Sequence, residues 1–188
     1  GYMGSGSSAV TDLLSEVDGY SCTNGNFEYV FMHCPNGVFD LEDKLLKGNN
    51  ALRSDEALHT FYSCMKTLYS NKYYWVADYK DKVGPDFMSW CEEFISSLMD
   101  ERTKDVYWYY QENPNAKIYI EKALAKLIKL VSFGKVVPKP GLRYEEMWLS
   151  YTTPSEFYAS ARNLLDKFFL QMGISNSNVI LDQFVLPH

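Results

Sequence analysis

The sequence predicts an α/β domain with a small parallel sheet and a large helical insertion, and three observations carry that prediction. A glycine-serine run, Gly4-Ser5-Gly6-Ser7-Ser8, stands between a short apolar stretch and an amphipathic helix; the chain closes on Val179-Ile180-Leu181-Asp182, which has the makeup of a buried strand; and most of what lies between has helical spacing. With 188 residues, 46% of them hydrophobic, the chain can bury a core of its own, so packing rather than a metal or disulfide staple is expected to hold it together.

Taken in order, Gly1-Tyr2-Met3 is a strand of three residues leading into the loop, and Ser7 to Val17 is a helix with Ala9, Val10, Leu13, Leu14 and Val17 on one side and a stop at Asp18-Gly19. Phe27 to Met32 reads as a short strand closed by the turn Pro35-Asn36-Gly37. Helices follow over Val38 to Lys47 and over Ser54 to Ser70, the second with Ser54 as N-cap, because a hydroxyl there accepts from the free amides of the first turn. Gly84-Pro85 opens a helix to Asp100 with Pro85 at its first position and Phe87, Trp90, Cys91, Phe94, Ile95 and Leu98 inward. Val106 to Tyr110 fits strand or helix, Asn113-Pro114-Asn115 breaks the chain, and Ala116 to Val131 is helical. After the loop Gly134 to Gly141 come a strand from Met147 to Tyr151, a helix from Pro154 to Gln171 ended by Gly173, and the last strand. The expected organisation is one domain over 1–188 with a helical insertion over 38–132; a three-residue first strand and a strand running into the terminus make the chain read as a fragment, cut at its C-terminal end.

Charge and cysteines narrow the function classes. Lys+Arg 18 against Asp+Glu 24 leaves −6, which disfavours a broad surface for nucleic acid or an anionic membrane but leaves room for one local anion site. Cys22, Cys34, Cys64 and Cys91 form no C-x-x-C pair, and with three histidines they assemble no zinc pattern, so no metal is expected and the thiols read as reduced, in a cytoplasmic or otherwise intracellular protein. No apolar run reaches the ~20 residues of a membrane span, and oligomeric state is left open.

The sharpest motif is the loop. Glycines let the backbone curl until several N–H groups face one point, the helix N-terminus adds partial positive charge, and the Ser7 and Ser8 hydroxyls can donate. The spacing Gly1-x4-Gly6-Ser7-Ser8 fits a Walker A loop except that Ser7 stands where the lysine belongs, which weakens a kinase or NTPase reading. Met3-Gly4-Ser5-Gly6-Ser7-Ser8-Ala9-Val10-Thr11-Asp12-Leu13-Leu14 resembles the 5′-phosphosulfate loop of sulfotransferases that use 3′-phosphoadenylyl sulfate (PAPS), in which a Ser-Gly-Thr-Thr or Ser-Gly-Ser-Ser run opens the first helix. The resemblance implies a P-loop-like, three-layer fold and transfer of a sulfuryl group to a hydroxyl or amine. The family carries Lys or Arg just before the Ser-Gly pair, where this chain has Gly4; Arg53 is a candidate to supply that charge. No Arg-Asp-Pro-like motif for the 3′-phosphate occurs, so the resemblance covers about the N-terminal half of a complete enzyme.

Phe27-Glu28-Tyr29-Val30-Phe31 is similar to the glutamate-bearing segment of heparan-type sulfotransferases, which implies Glu28 as the general base, with a solvated surface carboxylate as the alternative. His33 is a rival base or acceptor contact; His59, on an amphipathic helix, reads as structural. Asp182 and Gln183 follow a buried strand, and ligands in open α/β sheets collect at the carboxyl ends of strands, so both are substrate or acid/base candidates, or else a strand-end cap.

The aromatic groups Tyr73-Tyr74-Trp75 and Tyr107-Trp108-Tyr109-Tyr110 read as core or as platforms for the sugar rings of a glycan acceptor. Lys117, Lys122, Lys126 and Lys129, at helical spacing, read as a solvated face or as a surface for an acidic polysaccharide or partner. The expectation is a sulfotransferase with a small-molecule or glycan acceptor and no metal; the rivals are a P-loop kinase or NTPase needing Mg²⁺ and a non-catalytic nucleotide- or anion-binding module.

Overall fold

The computed structural model describes residues 7–22, 27–104, 106, 108, 111, 116–136, 138, 141–174 and 178–181. These are mixed α/β and about 58% helical, so helices make the core and sheet is a minor component. The chain divides into two compact units, Gly1–Asp100 with Leu149–His188, and Glu101–Trp148.

The first unit begins with α1 (Ser7–Ser15), turns at Gly19, and enters β1 (Tyr20–Cys22). A bundle follows: α2 (Val30–His33), α3 (Val38–Leu46), α4 (Ala51–Ser70), α5 (Tyr79–Lys82) and α6 (Phe87–Leu98). The second unit intervenes, and α8 (Pro154–Gln171) and β4 (Asn178–Ile180) complete the first. β1 and β4 pair in parallel with Tyr20 opposite Asn178, Ser21 opposite Val179 and Cys22 opposite Ile180. A small parallel sheet is present, as expected, but of the strands predicted for it only the last takes part among the described residues: Tyr20–Cys22 carries no strand pattern of its own, the strand at Met147 belongs to a separate two-stranded sheet, and β4 is exposed to half-buried rather than buried. The strand expected over Gly1–Met3 lies outside the described residues.

Apolar spacing explains the bundle. Leu41 and Leu45 of α3, Leu58, Phe61 and Met65 of α4, Phe94 and Leu98 of α6, and Phe157 and Leu164 of α8 are all buried. Phe94 lies edge-on to both Phe61, at 5.5 Å between centroids, and Phe157, at 5.9 Å, and so joins three helices. Phe27, Tyr29, Phe31, Tyr79, Phe87 and Phe168 form a second aromatic cluster with centroid distances from 5.0 to 6.2 Å among neighbouring pairs.

Several expected boundaries change. Phe27–Met32 is not a strand: residues 27–29 are irregular and Val30–His33 form α2, because Tyr29, Phe31 and Met32 are enclosed together by the bundle, and a short apolar run is compatible with either geometry. α4 starts four residues after Lys47, at Ala51, and its N-cap is Asn50, whose side-chain oxygen accepts from Leu52 N and Arg53 N at 3.0 Å each. Ser54 is therefore helix interior, buried, with its hydroxyl donating to the Ala51 carbonyl at 3.3 Å. Pro85 precedes α6 rather than occupying its first position, that helix stops at Leu98, and Trp90, expected inward, is half-buried. α8 starts as predicted: Thr153 and Glu156 form a reciprocal capping box around Pro154, and Gly173, at φ 72°, supplies the left-handed residue that ends it.

The second unit pairs β2 (Glu101–Lys104) with β3 (Glu146–Leu149) and carries α7 (Ala116–Val131). Gln111, buried, holds its loops: its carbonyl accepts from Arg143 N at 2.7 Å and its side-chain oxygen from Tyr144 N at 3.2 Å. Lys104 pairs with Glu146 at 3.3 Å, and Arg102 lies over the Trp148 ring at 5.7 Å. β2, polar throughout, was not predicted. Of the 106–110 segment only Val106 and Trp108 are described, and neither is in a regular element.

Candidate functional site

The described site candidates lie on different elements: Ser7 and Ser8 open α1, Glu28 precedes α2 and His33 ends it, and Arg53 lies in α4. In parallel strands the same edge receives both chain ends, so Cys22 and Ile180, which are register partners, leave the sheet side by side. Asn178 ties the opposite edge, its amide donating to the Gly19 carbonyl at 3.3 Å.

α1 starts at Ser7, directly after the glycine-serine run, and runs near β1 and β4, but its apolar side is not covered: Ala9, Val10, Leu13, Leu14 and Val17 are all exposed. Its first turn holds no acidic residue, so the partial positive charge of its free N–H groups is not neutralised from within the helix. Ser7 and Ser8 are its first two residues; Gly4, Ser5 and Gly6 lie outside the described residues, as do Asp182 and Gln183.

Glu28 is half-buried on the irregular stretch before α2. The aromatic cluster fixes that stretch, with Phe27 against Tyr29, Tyr79 and Phe168, and so does the Tyr79 hydroxyl, which donates to the Glu28 carbonyl at 3.0 Å and accepts from Phe31 N at 3.4 Å. Burial pushes the Tyr79 phenol above its ordinary range, so it stays a donor at any physiological pH. Tyr79 is a positioning residue that sequence reasoning missed: its partner lies 51 positions away and no local spacing announces it.

Two polar atoms beside this segment are buried without a hydrogen-bond partner among the described residues, His33 Nε2 and Asp78 Oδ1. His33 ends α2, five residues after Glu28. Asp78 caps α5 in a left-handed conformation at φ 66°, ψ 39°, immediately before Tyr79. Strain and an unsatisfied carboxylate oxygen at one residue are features that collect where a chain binds something. Asp78 was not predicted; an aspartate ahead of a short helix is unremarkable in sequence.

The turn leading into Asp78 exposes Tyr73, Tyr74 and Trp75, which are not core. Asn71 Oδ1 accepts from Tyr73 N at 3.0 Å and Tyr74 N at 3.2 Å, and Lys82 donates to the Trp75 carbonyl at 2.8 Å, so the turn is held from both sides. Of the other aromatic group only Trp108 is described, and it too is exposed.

Arg53 is placed elsewhere by its bonding. Its guanidinium donates to the Gly48 carbonyl at 3.0 Å and closes the turn ahead of α4. His59 is largely buried and pairs with the buried Asp55 at 3.3 Å, one helical turn away, in keeping with a structural role. Cys34 and Cys64 lie with sulfurs 3.6 Å apart; their shared hydrogen bond, reinforced by burial, raises the Cys34 thiol, and the same bond lowers Cys64 against the effect of burial. Among the described residues no group of His, Cys, Asp and Glu is arranged to hold a metal ion, and no helix is long and apolar enough to cross a membrane.

Compared with family models, with curated proteins and with solved structures, the chain matches none.

Proposed function

We propose that the chain is a sulfotransferase, or the donor-binding part of one, moving a sulfuryl group from PAPS to a hydroxyl or amine. The observation that supports this reading is the start of α1: a helix that follows a glycine-serine run in sequence, has no acidic residue in its first turn, and is followed by a strand of a two-stranded parallel sheet. The fine architecture it entails is a P-loop-like, three-layer domain.

In this reading the amides of Ser5 to Ser8 hold the 5′-phosphosulfate, and their bonds strengthen as charge grows on the bridging oxygen. Glu28 takes the proton from the acceptor. The acceptor oxygen or nitrogen forms the new bond to sulfur while the bond from sulfur to the phosphate oxygen breaks, and adenosine 3′,5′-bisphosphate departs with that electron pair. Tyr79 fixes the Glu28 backbone, His33 and Asp182 are the other acid/base candidates, and Gln183 contacts the acceptor. A glycan suits the acceptor side, because the turn that exposes Tyr73, Tyr74 and Trp75 runs directly into Asp78 and Tyr79. One observation favours a second reading. The Arg53 guanidinium is engaged by the Gly48 carbonyl and Gly4 stands where the family has a cation, which suits a module that binds the anion without turnover.

Thermal shift with adenosine 3′,5′-bisphosphate, and separately with ATP and Mg²⁺, tests the reading on the full natural chain. A ligand at a hundred times its Kd should stabilise by roughly 2.7 kcal/mol. A response to ATP alone would turn the assignment to a kinase or NTPase. Glu28→Gln is expected to abolish transfer while nucleotide affinity stays nearly unchanged; unaltered turnover would remove Glu28 from the mechanism.

A further inference from the structure

α7 is amphipathic in an unusual sense: its apolar face is turned out. Ile120, Leu124, Leu127 and Val131 stand at i, i+4, i+7 and i+11, with Tyr119 and Leu130 on the adjoining row, and together they sweep an arc of roughly 140°. All six are exposed, from 53% for Leu124 to 77% for Val131, and Phe133 just beyond the helix is 94% exposed. Only Ile118 is buried among the described side chains of the helix. A face of this size is rare on a monomer without a partner.

Its charge says what kind of partner. Over 116–136 the chain has Lys117, Lys122, Lys126, Lys129 and Lys135 against a single acid, Glu121. Lys122 and Lys129 share the side opposite the apolar arc, and Lys117 and Lys126 stand at its two borders, where a long side chain can lay its methylenes along an apolar layer and raise its ammonium to anions at the boundary. The net charge of −6 hides this, because it averages two unlike units: residues 101–148 hold nine of the 18 basic residues but six of the 24 acidic ones. A groove of about 710 Å³ along α7, lined by Leu124, Glu121, Lys122, Lys126, Pro138 and Gly141 among others, offers a mostly apolar seat beside two ammonium groups and one carboxylate.

We infer that α7 docks on an anionic lipid surface, lying in the plane of the interface with Tyr119, Ile120, Leu124, Leu127, Leu130 and Val131 among the acyl chains and the lysines at the headgroups. An apolar arc bordered by lysines matches a layer that is apolar inside and anionic at its rim. Two copies paired α7 against α7 would set lysines against lysines. This inference is independent of the proposed transfer chemistry.

Sedimentation of the 188-residue chain with phosphatidylcholine vesicles, and with vesicles of phosphatidylcholine and phosphatidylserine, decides it. Binding is expected only to the mixed vesicles and should weaken as salt rises. Leu124→Glu with Leu127→Glu should lower it by at least roughly tenfold, and Lys126→Gln with Lys129→Gln by roughly fivefold per lysine. All four positions are exposed, and circular dichroism checks that each variant is folded; should the glutamate pair disturb the helix, the lysine pair and the salt series still decide. Absence of binding to the mixed vesicles overturns the inference, as does binding indifferent to both variants. So does a concentration-dependent dimer that the glutamate pair abolishes without any vesicle binding, which would assign the face to a second copy. Retention on heparin lost only in the lysine pair, again without vesicle binding, would assign it to a soluble polyanion.

Discussion

At Thr153 and Glu156 two side chains exchange hydrogen bonds with each other's backbone, and the sequence announces it: a threonine, a proline, and a glutamate at the third position before an apolar run. The Thr153 backbone N–H, and then its hydroxyl, hold the Glu156 carboxyl below the usual glutamate range. A group whose folded pKa is depressed adds stability above its unfolded value, and that contribution is lost as pH falls through the folded value. Glu156→Gln keeps the shape of the box and removes the charge. The gap in urea midpoint between native chain and variant is thus expected to be largest at neutral pH and to close by about pH 3; a gap constant with pH would mean that the charge contributes nothing. Tyr79 and Asp78 are the opposite case. Their roles come from a partner 51 positions away and from a left-handed backbone, neither of which leaves a local mark. Glu28 was found through a short motif, and its motif does not tell that an aromatic cluster sets its backbone.

At the scale of elements, long apolar-periodic helices were legible and short elements were not. α7 and α8 occupy the expected spans because their periodicity runs over several turns. α2 was mistaken for a strand, since Phe27–Met32 is apolar apart from Glu28 and only the surrounding bundle selects the helix. β2 is polar at every position, so it has no apolar alternation to read. The start of α4 was placed at Ser54 because serine is a good cap, but Asn50 lies where the chain first turns helical and serves two amides. Asn50→Ala should accordingly cost about 1 kcal/mol. Ser54→Ala, which removes one long hydrogen bond to a carbonyl in its own helix, should stay within about 0.5 kcal/mol. Urea denaturation of the two variants checks this, and the reverse order would restore Ser54 as the cap.

For the molecule as a whole, composition and periodicity were enough for an α/β class with many helices and a small parallel sheet. Which strands pair was not readable, because Tyr20–Cys22 is three residues long and its partner, Asn178–Ile180, lies at the far end of the sequence. The division at 101 and 148 was equally hidden, since the 106–110 aromatics and the lysines of α7 read as continuations of the insertion.

The pairing of β1 with β4 also has a bearing in time. The Asn178 side chain meets the Gly19 carbonyl across 159 positions of sequence, whereas α3, α4 and α6 find each other within a few tens of residues. Loop closure grows costlier by roughly 0.6 kcal/mol for each doubling of the loop, and distant pairings form late. The sheet should therefore be the last part of the first unit to assemble. Pulsed hydrogen exchange during refolding is expected to protect amides of α4 and α6 before those of Ser21 and Cys22. Simultaneous protection would mean that the two strands meet early and guide the helices instead.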